Sequence, residues 1–498
     1  MAAMGKIKEQ TIKGSIYSYL GVLLGFAISG LILPKLFTTA ENGLINLLIA
    51  YSSLFAQFAT LGFGNATGRL FSWFRDEKSN HHGFIGLLLL VVTVGFLLAI
   101  TAFFILKPFL LAKSTETSSL FAGYITFIIP LIFFSLLYQL LDVYFKMLYK
   151  TIIGTFLKEF LLRALILLSL LLYFLKVLDF RSFITAYVIA NCLPAVFLFA
   201  ALLFQGKVQW KPDWKFIDRN MARSLFNMSF FGIIVGFSSV LVLSIDRIMI
   251  ERMLGLSAAG IYSITFFFGT LVVIPARSLR KIAGTMLAEA WRNSDMKMIH
   301  EIYTKSIVNQ LIIGTLIFVG VWSNINNVFE ILPPTYLPGK WVVFFVALTG
   351  LIEMSSGVSE ILVQTSKYYR FSAVLNTLFL VFIVVFNYLF INWFGLVGAA
   401  IANAVSFALN NVIRYSFIYK KFGFMPFTFG HLTVLVVGLA VYFLSVLLPP
   451  FPNFILDIAV RSSSITIVYI ATIYLLGLSP DMNQSIQSVM HRISTIFR

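Results

Sequence analysis

GFIGLLLLVVTVGFLLAITAFFIL, residues 83–106, decides the fold. All 24 residues pass without a charged side chain. A helix needs about 20 apolar residues to cross a hydrocarbon layer of ~30 Å. Membrane-spanning barrel strands instead alternate apolar and polar residues over ~10 positions. In lipid only helices and closed barrels satisfy every backbone hydrogen bond internally. The run therefore reads as a transmembrane helix. Outward from it, comparable runs recur near 14–33, 44–64, 120–141, 155–175, 183–204, 228–248, 259–280, 306–324, 341–364, 372–392, 395–418, 431–449 and 457–477. The expected fold is an all-α polytopic membrane protein with about fourteen transmembrane helices.

Composition agrees. Of 498 residues, 59% are hydrophobic and 11% charged, against about 25% charged in soluble domains. The net charge of +17 could suggest nucleic acid, but the basic residues are scattered rather than pooled in one domain, which argues against it. Cys192 is a single cysteine within a span, so neither a disulfide framework nor a cysteine metal site is expected. His81, His82, His300, His431 and His491 are dispersed at span ends. No metal and no cofactor is expected. The first apolar run has no small-residue cleavage site behind it and reads as the first span rather than a signal peptide.

Basic residues concentrate on one side when both termini are placed in the cytoplasm: 28 of the 37 lysines and arginines then fall inside, as the positive-inside rule requires. The longest polar connections, 206–227 and 281–305, are expected to be cytoplasmic. No external connection is long enough to house a catalytic domain, which argues against an integral-membrane polymerase or glycosyltransferase and for a non-enzyme.

An internal repeat is visible. LFTTAENGLINL (36–47) aligns with MLGLSAAGIYSI (253–264), placing Gly43 on Gly260 at an offset of 217. Lys150 falls on Lys367 at the same offset, and Ile189-Ala190-Asn191 matches Ile401-Ala402-Asn403 after a short deletion. The expected organisation is two parallel six-helix repeats, 1–227 with its cytoplasmic linker and 228–425, followed by 426–498 with two extra helices and a tail. Paired bundles of this kind place a transport site between them.

Two stretches carry a family resemblance. SIDRIMIERMLGLSAAGIYSITFFFGTLV (244–272) resembles the seventh and eighth spans of bacterial polysaccharide-lipid flippases of the Wzx type. SEILVQTSKYYRFSAVLNTLFLVFIVVFNYLFINWFGLVGAAIANAVSF (359–407) resembles their tenth to twelfth spans. These flippases belong to the multidrug/oligosaccharidyl-lipid/polysaccharide exporter superfamily. The resemblance implies a V-shaped pair of bundles in the bacterial inner membrane that moves an undecaprenyl-pyrophosphate-linked oligosaccharide outward by alternating access, with ion counter-movement. It implies a lipid-linked oligosaccharide, membrane lipid and polysaccharide-assembly proteins as partners. A cation-coupled multidrug exporter and a lipid II flippase remain alternatives, though no acid lies within span 1 where several such exporters couple their ion.

For such a carrier, polar residues within spans are the informative ones, because each unpaired polar group costs ~2–7 kcal/mol to bury. In span 2, Ser53, Gln57 and Arg69 form a stripe at helical spacing, with Asn46 a turn away; cavity lining and helix–helix hydrogen bonding compete as explanations. Span 5 carries Lys158, Glu159 and Arg163. Glu159 and Arg163 are four apart and can pair on one face, while the cations together suit a pyrophosphate. Span 10 carries Glu353 near the midplane. Glu360 lies two turns on, on the same face of an unbroken helix, with Gln364 beyond. Two carboxylates there are hard to place against lipid and are the candidates for ion coupling, with Glu159 and Asp246 as further acids. Asp246-Arg247 is expected to close span 7 as an interfacial pair or to join the coupling path. Arg277 is a candidate inner-leaflet cation, and Asn403, Asn410 and Arg414 share a face of span 12.

Overall fold

Short capping motifs cut the apolar runs into helices. In the computed structural model, which describes residue 14 and residues 16–111, 118–204, 209–425, 429–484 and 487–488, the first hairpin shows this most clearly. Helix α1 (Ile16–Leu36) ends two residues before Thr38. The Thr38 hydroxyl then accepts from the Glu41 amide, while the Glu41 carboxylate accepts from the Thr38 amide at 2.8 Å. This reciprocal cap satisfies two orphan donors and starts α2 (Thr39–Ala59). Glu41 is thus a capping residue.

The first compact unit, residues 1–263, continues with α3 (Phe63–Phe74), α4 (Phe84–Leu111), α5 (Ser119–Met147), α6 (151–174), α7 (Phe180–Leu203) and the long α8 (Arg219–Leu254). Residues 227 and 228 lie inside α8, a 36-residue helix packed in this unit on α2 and α3. Helix α9 (Leu256–Val273) begins here. The second unit, residues 264–498, holds α10 (Ala276–Arg292), α11 (Met296–Ser323), α12 (Lys340–Met354), the short α13 (Ser359–Thr365), α14 (Tyr369–Phe394), α15 (Leu396–Phe422), α16 (Phe429–Val446) and α17 (Phe454–Leu475).

Among the described residues, twelve single helices are long and apolar enough to cross a membrane, and the pair α2–α3, bent by 44°, supplies a thirteenth. Helix α6 is also long enough to cross, and it carries Lys158, Glu159 and Arg163 in its first half. Twelve or thirteen clear spans among the described residues are consistent with the expected all-α fold of about fourteen. The polar connection expected at 281–305 is itself helical, formed by the amphipathic α10 and the start of α11. Helix α10 buries Ala276, Ala283, Leu287 and Ala290 on one face.

Close crossings rest on glycine. A Cβ on Gly43 would run into the carbonyl of Leu256, and one on Gly260 into the carbonyl of Thr39. The offset of 217 carries Thr39 to Leu256 and Gly43 to Gly260, so each contact is the image of the other. Reciprocal contacts of that form are what a local two-fold between duplicated segments produces. The hydroxyls of Thr39 and Ser257 meet beside them at 2.6 Å. In the second unit, α16 and α17 pack on α11 through Val434, Val437, Ile465 and Tyr469, with the Tyr469 hydroxyl donating to the Ile312 carbonyl at 3.0 Å. At their far end, Arg461 holds Asp457 and the carbonyls of Ser445 and Leu448, and Asn327 donates to Asp457.

Candidate functional site

Helix α12 stops at Met354, and residues 355–358 turn before α13 starts at Ser359. Gly357 causes the stop. Its φ of +57° lies in the left-handed region that glycine favours, and its backbone presses on Ser306 and Ile307 of α11. The Ser306 hydroxyl accepts from the freed Val358 amide at 3.2 Å. The expectation that Glu353 and Glu360 share the face of one continuous helix is therefore corrected: the backbone break re-aims everything beyond it.

The break gathers charge from four helices of the second unit. Glu353 Oε1 accepts from Arg280 Nη1 of α10 at 2.6 Å, with both side chains about one quarter exposed. Glu360, in the first turn of α13, accepts from Gln364 at 2.9 Å. Arg414 of α15 is buried, donates to Asn411 Oδ1 at 3.3 Å, and lies within electrostatic reach of Glu360, Arg280 and Glu353. Asn411 in turn donates to the Ile352 carbonyl at 2.9 Å, fixing α15 to the last turn of α12. In the same unit, the buried polar atoms Gln310 Nε2 and Oε1 and Tyr303 Oη of α11, Ser359 Oγ of α13 and Asn410 Oδ1 of α15 have no hydrogen-bond partner among the described residues. Asn403 is buried on α15, two turns before Asn410. Arg277 belongs to the first turn of α10; its side chain lies outside the described residues.

The first unit carries the second group. Arg163 donates to Glu159 Oε2 at 2.6 Å and to the Glu159 carbonyl at 2.9 Å, as their spacing predicts. The guanidinium lies along Gly21 and Gly25 of α1, where any Cβ would meet it. Lys158 is exposed, with its ammonium 5.1 Å from the Tyr138 ring centroid. Two π-helical segments adjoin these charges, Phe156–Leu161 in α6 and Ala27–Ile32 in α1. Such widened turns are frequent at functional sites.

Other candidates sit apart. The stripe proposed for span 2 is broken by the bend between α2 and α3. Gln57 packs on Gly236 and reaches Thr60 at 3.4 Å, while Arg69 is exposed on α3. Asn46 donates to the Asn42 carbonyl within its own helix. Asp246 does not end its helix, because α8 runs on to Leu254; it is buried and accepts from the Tyr262 hydroxyl at 2.9 Å. Sequence reasoning missed Arg280 as the partner of Glu353, since it read as a topology charge, and missed Asn411. It also passed over buried Glu251, whose nearest ion-pair partner is Arg252 at 4.0 Å.

A family model described as polysaccharide biosynthesis protein matches residues 12–284. Among curated protein sequences none matches. Solved structures similar to the chain include the lipid II flippase MurJ in an inward closed conformation, with a TM-score of 0.72 at 14% identity over 93% of this chain and 99% of that one. An inward-facing multidrug resistance MATE transporter of the MOP superfamily gives 0.62 at 13% identity over 81% and 98%. The Vibrio cholerae MATE transporter VcmN gives 0.55 at 14% identity over 84% and 98%. Likeness at such low identity is a likeness of fold.

Proposed function

The chain belongs to the polysaccharide biosynthesis protein family, and from that premise we propose that it is a flippase carrying an undecaprenyl-pyrophosphate-linked oligosaccharide from the inner to the outer leaflet. It does so by alternating access in the bacterial inner membrane, with both termini cytoplasmic and ion counter-movement through its acids. The observation that carries this reading is the charged break between α12 and α13. There Arg280, Glu353, Glu360 and Arg414 meet at an interrupted helix in a chain made almost wholly of apolar spans. Interrupted helices of this kind are how transporters place charge at depth.

The physical need is clear. An oligosaccharide offers many hydroxyls, each costing ~2–7 kcal/mol if buried without a partner, so unassisted crossing is prohibitively slow. Polar groups along a wet path lower that cost. The pyrophosphate carries about two negative charges, and outward movement against a negative interior is favourable by ~2.3 kcal/mol per charge per 100 mV. On the first unit Lys158 and Arg163 attract the anionic head through their positive field. On the second, Asn403 and Arg414 offer hydrogen bonds. Glu353 and Glu360, with Glu159 and Asp246 as further acids, carry the counter-ion.

The test is complementation of a strain lacking its own oligosaccharide flippase. Expression of this chain restores surface glycan if the reading holds. Drug resistance without surface glycan would instead identify a cation-coupled exporter of the same superfamily.

A further inference from the structure

Residues 209–218, between α7 and α8, are clasped to the turn between α3 and α4. Four successive residues of that turn, Asn80, His81, His82 and Gly83, have φ of +47°, +57°, +51° and +67°. The left-handed region is costly for residues that carry a Cβ, and it persists only where neighbours fix it. Here the neighbour is the α7–α8 connection. The Asp213 amide donates to the His82 carbonyl at 3.1 Å. The His82 ring stacks on Phe216 at 3.6 Å, and its Nδ1 stands 3.6 Å from Asp213 Oδ2. Phe216 also meets Phe74 of α3 at 5.3 Å.

The clasp fixes the depth of the connection. A Cβ on Gly83 would run into the Lys211 carbonyl, and one on Gly86 into that of Trp210. The charge-free run of α4 begins at Gly83 and ends before Lys107, so its first turn marks the edge of the hydrocarbon. The connection crosses there. Trp210 and Trp214 remain 50% and 62% exposed, and tryptophan at that level belongs to the membrane–water interface. Lys211, Lys215, Arg219 and Arg223 are exposed beside them and, among the described residues, form no ion pair. The two acids of the stretch are already engaged. Asp213 Oδ1 accepts from the Lys215 and Phe216 amides, and Asp218 Oδ1 accepts from the Met221 amide to cap α8.

We propose that this connection is a docking surface for anionic phospholipid headgroups, with Trp210 and Trp214 seated in the interface and Lys211 and Lys215 on the lipid phosphates. Positive-inside topology accounts for cations on this side, but not for two open tryptophans held at the hydrocarbon edge by a left-handed turn. A soluble anion would satisfy the lysines and leave both rings in water. A phospholipid joins phosphate to an apolar tail and meets both needs. Basic segments beside a span are drawn to anionic leaflets, and salt screens the attraction. The surface acts whatever the chain transports.

The experiment uses the full chain with benzoylphenylalanine at position 214, in nanodiscs holding phosphatidylglycerol and phosphatidylcholine at equal mole fraction. Adducts are counted by mass spectrometry after illumination. The proposal expects phosphatidylglycerol adducts to exceed phosphatidylcholine adducts at least about fivefold. The variant Lys211→Gln, Lys215→Gln should bring the ratio near one, and raising sodium chloride from about 0.05 to about 0.5 M should lower it. A matched control, Lys420→Gln, Lys421→Gln, removes two exposed cations from the end of α15 and should leave the ratio unchanged. Equal labelling by the two lipids overturns the proposal, as does a ratio that the Lys211, Lys215 variant leaves unchanged or that the control lowers equally. Absence of any lipid adduct at position 214 overturns the interfacial placement, and the proposal with it.

Discussion

Two ion pairs of the same length sit in different parts of the molecule. Glu159–Arg163 and Glu353–Arg280 both close at 2.6 Å, and all four side chains are between one quarter and about one third exposed. The first joins residues four apart on one helix. The second joins residues 73 apart on α10 and α12, beside a backbone break. A local pair travels with its helix and survives any rigid movement of it. A long-range pair must stretch or part when its two helices shift, so it is the one that can report or drive a conformational change. The difference sets Glu353–Arg280 apart as the pair that any movement between α10 and α12 would break.

That contrast can be broken by mutation. The largest effect is expected from Arg280→Ala, which strands a partly buried carboxylate at a cost of about 2–3 kcal/mol, in the range for an unpaired buried group. A lower thermal midpoint in detergent with export lost is the expected result; a midpoint equal to wild type would place the pair among cosmetic contacts. The double variant Arg280→Ala, Glu353→Ala should recover most of that stability, since neither charge is then orphaned, yet remain inactive in export. Next is Gly21→Ala, whose methyl group meets the Arg163 guanidinium and the Glu159 carbonyl. A loss of about 1–2 kcal/mol is expected, the scale of overpacking, and an unchanged midpoint would show that α1 and α6 have room to spare. The smallest effect belongs to Glu159→Gln, expected to fall within ~0.5 kcal/mol as for exposed i,i+4 pairs. A loss above 2 kcal/mol in that variant would erase the distinction between the two pairs.

The same contrast explains what the sequence made legible. Fourteen helices could be counted because hydrocarbon thickness imposes a length and apolarity that each span must show by itself. Glu159–Arg163 could be read because helical spacing alone brings the residues together. Arg280–Glu353 could not, since nothing in either segment names a partner 73 residues away, and Arg280 had a sufficient explanation as a topology charge. The break itself had a local signal, since Ser355-Ser356-Gly357 interrupts the apolar run with a Ser-Gly turn dipeptide, but the run on either side read as one span. The turn depends on one positive φ and on Ser306 from another helix. Gly43 and Gly260 lay between these cases. Their alignment was visible as a repeat, but only the fold shows each one touching the image of the other's neighbour.

The most direct test of the switching role is glycan export by Glu353→Gln in a flippase-deficient strain, with membrane abundance and thermal midpoint measured in parallel. Gln keeps the size and hydrogen-bonding capacity of Glu and removes its ability to ionise. The account predicts export reduced at least tenfold, a rise of ~1.4 kcal/mol or more in activation free energy, at wild-type abundance and with partial activity retained by Glu353→Asp. Full export by the double variant Glu353→Gln, Glu360→Gln would contradict it and leave both acids as structural residues.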